Sequence, residues 1–285
     1  MSLPPKQAIE SALGLSVTNM HALSGGCIGE VYRVVLSDGS ETVVKLDQSA
    51  TPRLDIEGYM LEYLAAHSAL PVPRVKHSSP ELLAMEFIEG NSHFTAEAEH
   101  HAADLLAELH AVTQEQFGMD RATLIGPLHQ PNPWTDSWVD FFREHRLLEM
   151  SRHAQREGCM GKNTLHRIER FADNLDEWLR EPERPSLIHG DIWSTNVLAS
   201  ANRITGFIDP AIYYGHAEIE LAYITLFSTF SQSFFESYNE MRPIEPGFFE
   251  VRRDIYTLYP LLVHVRLFGG GYLNSVEATL RKHGY

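Results

Sequence analysis

Short apolar runs at strand period fill the first third of the chain, and helical spacing dominates the remainder. Residues 17–23 and 31–36 read as strands flanking the loop Ser24-Gly25-Gly26-Cys27-Ile28-Gly29. The turn Ser37-Asp38-Gly39-Ser40 carries a hairpin signal, and a third strand follows over 42–46. Between 53 and 67, Leu54, Met60, Leu61 and Leu64 recur at helical spacing until Pro71 and Pro73 break the pattern. Further strands are predicted at 74–77 and 82–87. Beyond Gly90 the segments 96–113, 134–151 and 163–179 predict helices, 187–210 reads as loop, strand, turn and strand, and the chain from 218 onward is largely helical. The pattern therefore predicts an α+β chain with a small β-rich lobe over 1–88 and a larger, mainly helical lobe over 89–285. A length of 285 residues accommodates two such lobes.

Composition narrows the function classes. The chain is 44% hydrophobic and 21% charged, an ordinary globular balance. No apolar stretch approaches the roughly 18 residues needed to span a bilayer. The segment Met1-Ser2-Leu3-Pro4-Pro5-Lys6 lacks the apolar core of a secretory signal, so a cytoplasmic location is the expectation. The formal net charge of −15 argues against nucleic acid or a membrane surface as partner, since both need a basic face. Cys27 and Cys159 are far apart and form no paired motif, so neither a disulfide scaffold nor a zinc site is suggested; the 15 histidines show no HExxH spacing.

The segment carrying most chemistry is His189-Gly190-Asp191-Ile192-Trp193-Ser194-Thr195-Asn196, followed by Asp209 after the apolar pair Phe207-Ile208. Phosphoryl transfer needs a carboxylate that orients the attacking hydroxyl and takes its proton. It also needs an amide oxygen and a second carboxylate that hold Mg²⁺ against the phosphates. Asp191 suits the first role, and Asn196 and Asp209 the second. The predicted hairpin turning at 200–203 would bring Asn196 and Asp209 to one end. Upstream, Gly25, Gly26, Cys27 and Ile28 form a loop whose backbone N–H groups suit phosphate oxygens. Lys45 lies in the third strand, placed to meet the α- and β-phosphates of ATP, with Glu57 of the next helix preferred over Glu62 as its partner. Met85, Glu86, Phe87 and Ile88 form the connection between lobes, where the Glu86 carbonyl and the Ile88 N–H are expected to bind adenine.

These elements in this order resemble the protein-kinase-like superfamily, and within it the fructosamine (ketosamine) kinases. Gly190 stands where protein kinases have the Arg of H-R-D, and Asp209-Pro210-Ala211 where they have D-F-G. The string from Asp209 to Ala222, with Tyr214, Gly215, Glu218, Glu220 and Leu221, is the most specific part; a block ending Leu267-Phe268-Gly269-Gly270-Gly271-Tyr272 extends the likeness over almost the whole chain. Thr195 departs from the family, many members of which have Gly there. The resemblance implies a bilobal protein-kinase-like fold and ATP- and Mg²⁺-dependent phosphorylation of the sugar 3-hydroxyl of ketosamines. Those acceptors are free adducts or glycated protein lysines, and the product is unstable, which associates the family with deglycation. An aminoglycoside- or choline-type phosphotransferase is the alternative. In related kinases a carboxylate near Glu220 braces the catalytic loop. Trp193 suits stacking on the adduct, and Tyr213, Tyr214, His216 and Glu218 follow the metal Asp closely enough to line the acceptor pocket; the competing reading is core packing for the aromatics and a helix start at Glu218. Members with a cysteine at Cys27 look redox-sensitive, which makes Cys27 a candidate switch and leaves a monomer and a homodimer both open.

Overall fold

The computed structural model describes residues 5–23 and 29–285. Helix α1 (Pro5–Leu13) precedes a five-stranded antiparallel sheet of order β1-β2-β3-β5-β4, made of β1 (Val17–Ala22), β2 (Glu30–Leu36), β3 (Glu41–Leu46), β4 (Val75–Ser78) and β5 (Leu82–Glu86). Helix α2 (Leu54–His67) connects β3 to β4. Strand alternation gives each sheet face a separate task. Val44, Leu46, Leu82 and Ala84 pack with Ile9 of α1. Leu83 and Met85, with Val43 at the margin, pack against Leu54 and Leu61 of α2. Lys45 is two residues from Val43 and so shares the face that meets α2. Helix α1 was not predicted: it is only nine residues long and buries only Ile9 fully, with Ala8, Ala12 and Leu13 partly buried beside it.

The larger part of the chain is built from α3 (Ala96–His110), the hairpin β6 (Thr123–Ile125) and β7 (Leu128–Gln130), then α4 (Trp138–Phe142), α5 (Glu149–Arg156) and α6 (Lys162–Ala172). Strand β8 (Ser186–Ile188) follows, then β9 (Val197–Ser200), β10 (Arg203–Phe207) and β11 (Tyr213–Gly215), with β8 paired to β11 and β9 to β10. Helices α7 (Ala217–Leu226), α8 (Gln232–Met241), α9 (Arg253–Tyr256), α10 (Leu258–Phe268) and α11 (Gly271–Lys282) complete it. Among the described residues no helix is long and apolar enough to cross a membrane.

The helix predicted at 134–151 starts later and runs further. The Ser137 hydroxyl caps it by accepting from the Asp140 N–H at 3.2 Å, and the distant Glu181 carboxylate accepts from the N–H groups of Trp138 (2.6 Å) and Val139 (3.1 Å). A π-helical stretch, Arg143–Leu148, joins α4 to α5 and turns Arg146 into the core. This buried guanidinium donates to the carbonyls of Pro131 and His145 and to Asn132 Oδ1, and lies 3.8 Å over the Tyr213 ring.

Strands β9 and β10 are fastened to the connection between the sheet and the helical part. Asn91 and Ala199 exchange backbone hydrogen bonds (2.9 and 2.8 Å), the Thr205 hydroxyl donates to the Glu89 carbonyl (3.0 Å), and the Phe207 N–H donates to the Pro71 carbonyl (2.8 Å). The hairpin that carries Asn196 and Asp209 at its open end is thereby held against the lobe bearing Lys45.

Candidate active site

A cleft of about 610 Å³ separates the sheet from the helical part, a size suited to a small-molecule ligand. Val31, Val43, Met85, Phe87 and Ile88 contribute to its apolar lining, and Lys45, Glu57, Asp191, Thr195, Asn196 and Asp209 contribute polar side chains, with Glu86 at the connection. Glu57 sits in the first turn of α2, where an acid is favoured; Glu62, on the opposite side, is exposed. Lys45 Nζ donates to Glu57 Oε1 at 2.7 Å and to Asp209 Oδ1 at 2.5 Å. Burial works against the Lys45 charge, but the Asp209 and Glu57 carboxylates outweigh it and hold the ammonium above its ordinary pKa.

Asp191 is oriented from both sides: the Tyr223 hydroxyl donates to Oδ1, and Asn196 Nδ2 donates to Oδ2 at 2.9 Å and to the Asp191 carbonyl at 3.0 Å. Burial, then the Asp209 charge, push the Asp191 carboxyl up to about 7 against the pull of Tyr223 and Asn196. Such a value suits a group that takes a proton near neutral pH. The two bonds of Asn196 Nδ2 leave its carbonyl oxygen with only a long 3.5 Å contact from the Thr195 hydroxyl.

The loop between β8 and β9 is shaped by backbone contacts. Gly190 has φ +85°, and a Cβ there would lie 2.2 Å from the Ala211 carbonyl oxygen. A side chain is therefore excluded where protein kinases carry Arg. Asp209 holds φ +54°, costly for a non-glycine residue, between anchors at Ile208 (N–H to the Asn196 carbonyl, 3.0 Å) and Ala211 (N–H to the His189 carbonyl, 2.7 Å). Beneath the loop, the buried Glu220 carboxylate accepts from the N–H groups of His189 (3.2 Å) and Gly190 (2.6 Å) and is bonded to His110 Nε2 (2.9 Å), whose Nδ1 meets the Tyr238 hydroxyl (2.7 Å). Burial disfavours the Glu220 charge, but His110 and His189 hold its pKa below the usual range.

These residues fit a magnesium ion. Mg²⁺ typically takes one or two protein oxygens and fills its shell with phosphates and water. The Asn196 carbonyl and the Asp209 carboxylate form such a partial set, and among the described residues no cluster of His, Cys, Asp or Glu forms an all-protein cage.

The family model for fructosamine kinases matches residues 4–283. The chain belongs to the fructosamine kinase family. It is 36% identical over 276 residues to a probable ketoamine kinase of Synechocystis sp., covering 93% of this chain and 90% of that one. It is 33% identical to a chloroplastic protein-ribulosamine 3-kinase of Oryza sativa subsp. japonica, covering 93% and 78%. A crystal structure from Thermobifida fusca, of a protein assigned as a fructosamine-3-kinase, superposes with a TM-score of 0.86 at 32% identity, covering 97% of each chain. An aminoglycoside phosphotransferase in ternary complex with ADP and hygromycin B shares the fold alone, with TM-score 0.68, 18% identity and 99% coverage of both chains. The family places the chain among ATP-dependent kinases, on a bilobal α+β protein-kinase-like fold.

Trp193 lines the cleft two residues past Asp191. Tyr213, Tyr214, His216 and Glu218 do not line it, and the acceptor-pocket reading is corrected for all four. Tyr213 lies under Arg146 in the core, and the Tyr214 hydroxyl meets the Tyr63 hydroxyl of α2 at 3.0 Å. Glu218 is buried in a bidentate pair with Arg252 (2.7 and 2.5 Å). His216 caps α7 by accepting from the Glu218 N–H at 3.1 Å, between the rings of Trp138 and Tyr256. The physical reason is the short β11 strand: pairing with β8 turns this segment into the helical core. Gly25, Gly26, Cys27 and Ile28 lie outside the described residues. Sequence reasoning missed Tyr223, whose position about one helical turn beyond Glu220 on α7 gives no chemical signal, and missed Leu124 and Gly126, which line the cleft from the β6–β7 hairpin.

Burial and then the Arg252, Arg242 and His110 charges lower His216 from 6.5 to about 3. Between those values the unfolded chain binds a proton that the folded chain does not, so stability falls as pH drops from 6.5 toward 3. The contribution approaches ~1.4 kcal/mol per pH unit. His216→Asn keeps a helix cap and removes this titration. The variant's melting temperature should decline less steeply than the parent's between pH 6.5 and 5; equal slopes would exclude His216 as the titrating group.

Proposed function

We propose that this chain phosphorylates the sugar 3-hydroxyl of ketosamines with MgATP, residues 1–88 holding the nucleotide and residues 89–285 the catalytic loop, metal ligands and acceptor. The observation that carries the reading is the convergence of Lys45, Glu57 and Asp209 with the Asp191–Asn196 pair on one cleft, in a member of the fructosamine kinase family.

In this reading Met85, Glu86, Phe87 and Ile88 bind adenine, and Lys45, directed by Glu57, holds phosphate oxygens. Asn196 and Asp209 would hold Mg²⁺, which would supply charge neutralisation on the phosphates. Asp191 accepts hydrogen bonds from Tyr223 and Asn196, which aim its carboxylate at the acceptor hydroxyl. As that hydroxyl's oxygen bonds to the γ-phosphorus, the bond to the β,γ-bridging oxygen breaks, ADP leaves and the hydroxyl proton passes to Asp191. Trp193 offers a flat face to the sugar adduct. The phosphorylated ketosamine then sheds its sugar, which amounts to deglycation of the amine.

The direct test is ATP-dependent phosphate transfer to ribulose-, erythrulose- and fructose-lysine adducts, beside aminoglycoside and choline acceptors. Turnover is expected with at least one ketosamine. Turnover confined to an aminoglycoside or choline, or none with any adduct, overturns the proposal.

A further inference from the structure

A buried polar network runs from the hairpin β6–β7 to the segment after Asp209, and no step assigned so far uses it. Thr123, Gln130, Asn132, Arg146 and Tyr259 are each at most 3% exposed. Gln130 Nε2 donates to the Ala211 carbonyl at 3.0 Å and to Thr123 Oγ1 at 2.8 Å, which uses both of its amide protons. Asn132 Nδ2 donates to Thr123 Oγ1 at 2.9 Å and to the Arg121 carbonyl at 3.2 Å. Thr123 Oγ1 thus accepts twice, and its own proton goes to the Ile212 carbonyl at 3.1 Å. The two amide oxygens are held in turn: Tyr259 donates to Gln130 Oε1 and Arg146 Nη2 to Asn132 Oδ1, each at 2.6 Å. A guanidinium only donates, so Arg146 fixes the orientation of the Asn132 amide. Burial raises the Tyr259 pKa, so that hydroxyl keeps the proton with which it fixes the Gln130 amide.

The network ends on two backbone carbonyls, those of Ala211 and Ile212, which follow Asp209 closely in the chain. Asp209 sits at φ +54°, a conformation that persists only where the surroundings hold it. The Ala211 peptide is what holds it from the C-terminal side. Its N–H donates to the His189 carbonyl at 2.7 Å. Its carbonyl oxygen is confined between Gly190, where a Cβ would lie 2.2 Å away, and the Gln130 amide. The one residue between, Pro210, has a φ fixed by its ring, so a turn of the Ala211 peptide is passed to Asp209 rather than absorbed.

We infer that Gln130 is a positioning residue for Asp209: by holding the Ala211 carbonyl it keeps the Asp209 carboxylate turned into the cleft beside Lys45. The inference rests on the reading above, in which Asp209 would hold Mg²⁺, and deepens it by naming what fixes that ligand from behind. Without the Gln130 amide the Ala211 carbonyl loses its buried donor, the peptide turns to find another, and Asp209 relaxes from its left-handed conformation. The carboxylate then leaves the metal position while the strand connection and Lys45 stay in place. Gln130 itself does not line the cleft, so its loss acts on the nucleotide only through Asp209.

The test is calorimetric titration with ATP, once with Mg²⁺ and once with excess chelator, on the parent, Gln130→Leu, Asp209→Asn and the double variant. Gln130→Leu should weaken MgATP binding roughly tenfold, the low end for residues that orient a metal ligand, and leave metal-free ATP binding unchanged. In the Asp209→Asn background it should add nothing, because the carboxylate it positions is already gone. Tyr259→Phe removes only the hydroxyl that orients Gln130. It should weaken MgATP binding about threefold, again only with the metal, and it carries the test should the Leu variant fail to fold. Equal weakening with and without Mg²⁺, full additivity in the double variant, or parent-like MgATP binding in Gln130→Leu and Tyr259→Phe overturns the inference. A parent whose ATP binding Mg²⁺ does not tighten instead overturns Asp209 as a metal ligand, so the two failures are distinguishable.

Discussion

Asp191→Ala lowers kcat for phosphate transfer by about 10²–10⁴-fold, the usual contribution of a positioned general base, while nucleotide binding survives. The side chain touches neither Lys45 nor the strand connection, so calorimetric titration with MgATP should still give heat close to the parent's. The variant removes the acceptor for the Tyr223 hydroxyl and for one bond of Asn196 Nδ2, but the Asn196 bond to the Asp191 carbonyl remains. The loss should therefore fall on kcat more than on KM for ATP. Retention of full ATP-dependent turnover would remove Asp191 from the mechanism.

Arg252→Met destabilises the fold by ~3–5 kcal/mol, the range for stranding one charge of a buried pair. Both partners are at most 6% exposed at the side chain, and Arg252 also donates to the carbonyls of Pro246 and Glu245 at 2.9 Å, so its loss strands several acceptors at once. Burial raises the Glu218 carboxyl above its ordinary pKa, and the bidentate bond and charge of Arg252 pull it part of the way back. Adding Glu218→Leu to the variant should restore part of the loss, because the unpaired carboxylate is then gone. Denaturant unfolding reads both effects; an Arg252→Met midpoint equal to the parent's would show that the pair contributes nothing. Glu218 begins the helix that carries Glu220, so activity should fall in the variant at temperatures where α7 loosens.

Those expected results separate what is local from what is long-range. The spacing of His189, Asp191, Asn196 and Asp209 was legible because a hairpin of adjacent strands, β9 and β10, brings Asn196 and Asp209 together, and a two-residue turn region announces itself in sequence. Lys45 was legible as a strand residue following an apolar pair, and Glu57 as an acid one turn before Met60 and Leu61. Tyr213, Tyr214, His216 and Glu218 were misplaced for the opposite reason. They follow Asp209 closely in sequence, but β11 pairs with β8 and carries them under Arg146 and beside Arg252, residues contributed by distant segments. The hairpin β6–β7 and helix α1 went unread because strands of three residues and a nine-residue helix are too short for their periodicity to stand out from the surrounding sequence.

The chain alone determined its strand alternation and announced the lysine, amide and carboxylate groups that meet at the cleft, since each signal depends on neighbours a few residues apart. Tertiary packing decided which way Tyr223 faces and that Glu220 holds the loop from beneath. A helical or strand period states only which side chains share a face; what covers that face depends on contacts between segments far apart in sequence, and only the folded chain brings them together.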